Sequence, residues 1–173
     1  MKYSGRDLLG GALFLALALV FPILFHAAGL GSAFLPMFYP ILMAGFLVAL
    51  PVAAAVGFLA PITSSLLTGM PPLFPPVALI MMAEGVVLGA GPAILYQKHK
   101  LNLWLTLAVT IAAERLVLLA AVVLSARWLR LPEGVLGLAS LVRSMPGVVL
   151  LFILIPPLVK KLEERMQWQP HME

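Results

Sequence analysis

Apolar residues in this chain run in long blocks rather than alternating with polar ones, and the blocks are separated by prolines, glycines or short charged groups. Block 8–25 carries no charged side chain and reaches roughly 27 Å at helical rise, close to the thickness of a bilayer's hydrocarbon core. It predicts a membrane helix over 8–27. The basic start at Lys2 and Arg6 and the small residues Ala27, Ala28 and Gly29 also resemble a signal peptide, whose apolar region is normally shorter.

From Pro40 to Thr68 the chain stays apolar for too long to be one span, and Pro51 and Pro61 interrupt it. Proline removes a helical hydrogen bond and clashes with the preceding turn, so a break near Leu50 and Pro51 predicts helices over 38–50 and 52–68. The first of these is shorter than the membrane is thick, and such helices are tolerated where neighbours bury them or where they line a cavity. One kinked helix, giving five spans in all, is the alternative. Segment 69–76 holds Pro71, Pro72, Pro75 and Pro76 and predicts a stiff loop. Helices follow over 76–96, 102–128 and 143–160, with a polar break at Gln97, Lys98, His99 and Lys100 and a charged tail over 160–165.

Composition turns these blocks into a class. With 62% hydrophobic and 10% charged residues and a mean hydropathy of +1.09, the chain has too little charge to wet the surface of a soluble domain. The expectation is an all-α, polytopic membrane protein: a single domain over 1–173 with six transmembrane helices. Six spans place Lys2, Arg6, Lys98, Lys100, Lys160, Lys161 and Arg165 on one side, against Arg127, Arg130 and Arg143 on the other. By the positive-inside rule both termini are then cytoplasmic, in a multi-pass protein of the cell (plasma) membrane. Trp104 and Trp128, near the two ends of the fifth helix, fit an interfacial aromatic belt. The net charge of +4 is explained by these span ends, so nucleic acid is not an expected partner, whereas membrane lipid is. The absence of cysteine excludes disulfides and thiolate chemistry.

Three ionisable residues fall deep in predicted spans: Glu84, Glu114 and Arg115. An unpaired charge at that depth costs at least about 2.5–3.5 kcal/mol, so each is expected to face the interior and find a partner there. Neighbours on a helix point about 100° apart, so Glu114 and Arg115 are not expected to neutralise each other, and one of them should meet Glu84 or a ligand. A buried Glu84–Arg115 pair that only fixes helix association is the structural alternative. His26 reads as interfacial. No spacing in the chain fits a zinc site, a serine nucleophile elbow or a phosphate loop, so no metal, no cofactor and no catalytic residue is expected.

Small residues four apart, Ala12 with Ala16 and Gly85 with Gly89, offer close helix approach, either within the bundle or to a partner. Phe34, Met37, Phe38, Tyr39, Met70, Phe74, Met81 and Met82 cluster around the loops on the side away from the termini. They are either lipid-facing bulk or the apolar wall of a pocket that loop 69–76 closes.

The run from Ala33 to Phe46 around Pro36-Met37-Phe38-Tyr39-Pro40, the run from Pro61 to Pro72, and Met81-Met82-Ala83-Glu84 resemble the substrate-binding S components of energy-coupling factor (ECF) vitamin transporters. The resemblance covers nearly the whole chain. It implies a subunit that captures a vitamin or vitamin precursor from outside the cell and is itself no enzyme, with ATP hydrolysed in two separate ATPase subunits joined by a transmembrane coupling protein. It also implies a substrate site beneath the outer loops, at Phe34, Met37, Phe38, Tyr39, Met70, Phe74, Glu84 and Arg115, and a coupling face at Ala12 and Ala16; the apolar cluster adds Met81 to that site and membrane depth adds Glu114. Related sequences often carry histidine where Phe38 stands here, so the motif speaks to family and not to substrate. Three other readings stand beside it. A rod-shape type scaffold subunit would bind no ligand, an intramembrane protease would need its glutamates to converge, and an ion channel or proton-coupled carrier would work without an ATPase.

Overall fold

The computed structural model describes residues 3–27, 29, 31–73, 77–129 and 142–166. Within them the chain forms α1 (Gly5–Ala27), a single turn α2 (Gly31–Phe34), α3 (Phe38–Leu47), α4 (Leu50–Thr68), α5 (Val77–Pro92), α6 (Leu103–Leu129) and α7 (Met145–Met166). A π-helical turn, Ala93–Lys98, continues α5. Five of these segments, among them the joined Val77–Lys98, are long and apolar enough to cross a membrane, and α3 is the shorter sixth helix. The protein is all-α and polytopic. Phe74 and the prolines at 75 and 76, with which the expected loop ends, lie outside the described residues, as do Arg130 and the side chains of Arg127 and Trp128.

Two observed ends depart from the spacing argument. The helix expected over 38–50 stops at Leu47, where Val48 and Ala49 adopt extended backbone before Pro51 opens α4 in its first turn. The final helix runs on to Met166, because the charged tail continues it beyond the apolar block.

The centre of the bundle is α3. All ten of its residues are buried, and it packs against α1, α4, α5 and α7. Ten residues rise about 15 Å, half the hydrocarbon thickness, so the turn 35–37 between α2 and α3 is carried inward from the membrane surface. Non-helical backbone at that depth is tolerated only where protein encloses it or where it lines a cavity. Here Phe34 meets Phe25 at a tilt with ring centroids 6.2 Å apart, the His26 ring closes over Gly31, and the Tyr39 hydroxyl donates to the Gly147 carbonyl at 3.3 Å.

The α3–α4 break is held by two side chains from distant elements. Asp7 Oδ1 accepts the Ala49 N–H at 2.9 Å, and Gln97 Nε2 donates to the carbonyl oxygens of Gly45 and Val48, each at 2.8 Å. These bonds satisfy backbone groups that a helix break leaves unpaired. Nearby, the Tyr96 hydroxyl donates to Glu163 Oε2 at 3.1 Å, and the Tyr96 ring meets Phe46 edge-on at 5.3 Å. Asp7, Val48, Gln97 and Glu163 therefore mark one end of the bundle, here called basal; the end bearing α2 and the start of α7 is distal.

The closest helix contact joins α4 and α5. A Cβ added at Gly57 would collide with the carbonyl of Gly85, one at Gly85 with the carbonyl of Gly57, and one at Gly89 with the carbonyl of Ala53. Of the two readings for the glycine pair, the interior one describes this structure: Gly85 and Gly89 let two backbones touch.

Candidate functional site

Consecutive helices α5 and α6 run antiparallel and bring the intramembrane charges together. Glu84 on α5 and Glu114 on α6 are buried, at 4% and 1% exposure, and lie beside one another. Arg115 completes the cluster from the same helix as Glu114.

The expectation that Glu114 and Arg115 could not neutralise each other is overturned. Arg115 Nε stands 3.1 Å from Glu114 Oε2. The 100° between neighbouring Cβ directions limits short side chains, but the arginine stem is long enough to curl back along its helix and return its guanidinium to the adjacent carboxylate. Arg115 Nη1 then donates to Ser144 Oγ at 3.0 Å, tying α6 to the residue just before α7. Among the described residues no ion pair joins Glu84 to Arg115; Glu84 meets Glu114 instead.

The cluster retains unspent hydrogen-bonding capacity. Glu114 Oε1 and Arg115 Nη2 are buried without a hydrogen-bond partner, and so are the hydroxyls of Thr106 and Thr110. Thr106, Thr110 and Glu114 are four apart and so share one face of α6. That face looks at α5, since a Cβ built on Gly91 would lie 2.7 Å from Thr110 Oγ1. An orphaned polar group is costly in a protein interior and more so in a membrane, which makes these atoms candidates for a ligand or bound water.

The remaining candidate positions divide. Met37, Phe38 and Tyr39 are buried at the head of α3, Phe34 is half-buried, and Met81 packs against the core. Met70 is 55% exposed and does not line the interior; its carbonyl accepts from Ser64 Oγ at 2.7 Å, which fastens the start of the distal loop to α4. Phe74 is outside the described residues. Ala12 and Ala16 are exposed on the face of α1 opposite its buried residues Asp7, Gly11, Phe14, Ala18 and Pro22. Leu8, Leu9 and Leu13 surround them, equally exposed.

Thr106, Thr110 and Ser144 were not among the expected site residues, though the four-residue steps from Thr106 to Glu114 form a polar stripe in the sequence. No group of three or more His, Asp or Glu side chains converges to hold a metal among the described residues. Compared with protein-family models, curated proteins and solved structures, the chain matches none of them.

Proposed function

We propose that this polytopic membrane protein captures a vitamin-like small molecule from outside the cell, as the substrate-binding subunit of an ECF-type importer. The observation that carries this reading is the Glu84–Glu114–Arg115 cluster, buried in the bundle yet with Glu114 Oε1 and Arg115 Nη2 left unpartnered. A cluster that served only to fix helix packing would spend its hydrogen bonds on the protein, whereas a recognition site keeps a few polar atoms for its ligand. Two further features support it. Residues 35–37, between α2 and α3, dip into the bundle from the distal end, as a site lined by non-helical backbone requires, and the exposed Ala12–Ala16 strip on α1 would let a partner helix approach closely.

On this reading the distal end faces outward, the termini are cytoplasmic, and the protein sits in the plasma membrane. Glu84, Glu114 and Arg115 orient the ligand against Met37, Phe38, Tyr39 and Met81. The coupling protein docks at Ala12 and Ala16, and two ATPases supply the energy, so this chain hydrolyses nothing. The sequence resemblance to S components points the same way.

Native mass spectrometry of detergent-purified protein from rich medium tests it. A co-purifying small molecule, lost from Glu84→Gln and Arg115→Ala variants that keep their fold, is the expected result. An empty protein that gains no thermal stability from a panel of vitamins would favour the scaffold reading.

A further inference from the structure

At the basal end the fold leaves cations without counter-charges. Arg6, Lys98, Lys100, Lys160, Lys161 and Arg165 are exposed there, and among the described residues Glu164 is the one exposed acid. Glu163 is half-buried and accepts from Tyr96, and Asp7 is buried at the α3–α4 break. Among the described residues no ion pair joins any of the six cations to an acid. The Tyr96–Glu163 bond ties the end of α5 to the tail of α7, so the lysines of loop 98–100 and the cations of the tail belong to one surface. Lys161 and Arg165, four apart on α7, are like charges on one exposed helical face, and an anion from outside relieves their repulsion.

Lys100 stands in this surface against the preference of its own backbone. The Leu101 N–H closes the π-helical turn on the Leu95 carbonyl at 2.9 Å, and Lys100, just before it, adopts a φ of 55°. That is the left-handed conformation in which glycine ordinarily ends a helix, and a side chain kept there strains the backbone. Strain of this kind persists where the side chain has a contact to make. Directly beyond the loop the outward face of α6 is apolar, with Trp104, Leu105 and Val109 at 51%, 51% and 43% exposure. An indole at that level is the usual mark of the headgroup region.

We propose that loop 98–100 and the tail of α7 hold the headgroup of an anionic phospholipid whose acyl chains lie on α6 at Leu105 and Val109. Lys98 and Lys100 donate to the headgroup phosphate, and Lys161 and Arg165 add attraction from α7. An acidic protein would meet the same cations but would leave the apolar face of α6 uncovered, whereas a lipid satisfies both with one molecule. The contact belongs to the basal surface and depends on neither a captured substrate nor a coupling partner.

Native mass spectrometry of the full chain in a neutral detergent, with phosphatidylglycerol or phosphatidylcholine of the same acyl chains added, counts the lipids retained. Thermal unfolding in the same mixtures reports their effect on the fold. Phosphatidylglycerol is expected to be retained and to raise the unfolding midpoint, and phosphatidylcholine is not. Lys98→Gln combined with Lys100→Gln should lower phosphatidylglycerol retention about tenfold or more. Lys98→Arg combined with Lys100→Arg, which keeps the charge, should leave retention unchanged, and so should Arg143→Gln at the distal end. Lys100→Gly should raise the midpoint without lipid by about 2–4 °C, because the left-handed backbone is relieved, while the gain from phosphatidylglycerol shrinks. The proposal is overturned if the two lipids are retained alike, if the double glutamine variant holds phosphatidylglycerol as well as the unaltered protein does, or if Arg143→Gln loses as much. A lower midpoint for Lys100→Gly without lipid would show that this lysine serves only its own helix end, and would overturn it too. Binding of an oligoglutamate peptide in place of phosphatidylglycerol would assign the surface to an acidic protein, with the same consequence.

Discussion

The carboxylate of Asp7 accepts the backbone N–H of Ala49 at 2.9 Å, across 42 positions of sequence. One oxygen of this side chain therefore caps α4 while the other holds the N–H and hydroxyl of Ser4 at 2.8 and 2.7 Å. The beginning of the first helix and the turn between the third and fourth are thus one structural unit.

Removing that unit should be felt throughout the bundle. Asp7→Ala leaves the Ala49 N–H and the Ser4 donors without their acceptor and is expected to cost about 1–3 kcal/mol. Asp7→Asn, which keeps one acceptor oxygen, should cost less. Thermal unfolding followed by size-exclusion chromatography in detergent gives the order, and equal midpoints for Asp7→Ala and the unaltered protein would contradict it.

Gln97 makes the matching contribution from the π-helical turn. Its amide is the donor to two carbonyls at the end of α3, so Gln97→Leu should destabilise by about 1–3 kcal/mol. Gln97→Glu should be worse when ionised, since it sets an acceptor against two acceptors. The same thermal measurement, made on both variants, shows whether the donor or only the volume matters.

The two small-residue pairs should behave oppositely. Gly57→Val or Gly85→Val forces a side chain into the touching backbones of α4 and α5 and is expected to lower stability by about 3 kcal/mol or to prevent assembly. Ala12→Leu and Ala16→Leu lie on an exposed face and should leave the isolated protein within about 0.5 kcal/mol of its original stability. A loss of monomer stability in the alanine variants would show that this face is occupied within the fold.

Arg115→Met leaves the carboxyl pair without its compensating cation and is expected to destabilise by about 3–5 kcal/mol. Adding Glu114→Gln to Arg115→Met removes the stranded charge and should recover most of that loss. The double variant separates the two readings of the cluster. A scaffold that regains its fold also regains its activity, whereas a capture protein regains its fold and still binds no ligand.

Much of this architecture is legible from the blocks of apolar residues. Pro51 announces the α3–α4 break because a proline ring cannot follow a continuing helix, and the charged loop at 97–100 separates α5 from α6 for the plain reason that charge leaves the membrane. The clamps at the break were not legible. Asp7 reads as an ordinary first-turn acid and Gln97 as part of a polar loop, and only tertiary folding turns both side chains toward residues more than forty positions away. At the candidate site the three charged residues stood out by depth alone. Their pairing did not, because Cβ directions describe where a side chain leaves the helix and not where a long arginine ends.

The brevity of α3 has a consequence for biogenesis. Its ten residues are too few to hold a place across a bilayer by themselves, and every one of them ends up covered by other helices. While the chain is emerging from the ribosome, α1 is available to it, but α5 and α7 have yet to be made. Segment 31–47 must therefore wait, paired with α4 as a hairpin or held at the membrane surface, until the later helices arrive to enclose it. The middle of the finished protein is among the last parts to reach its place.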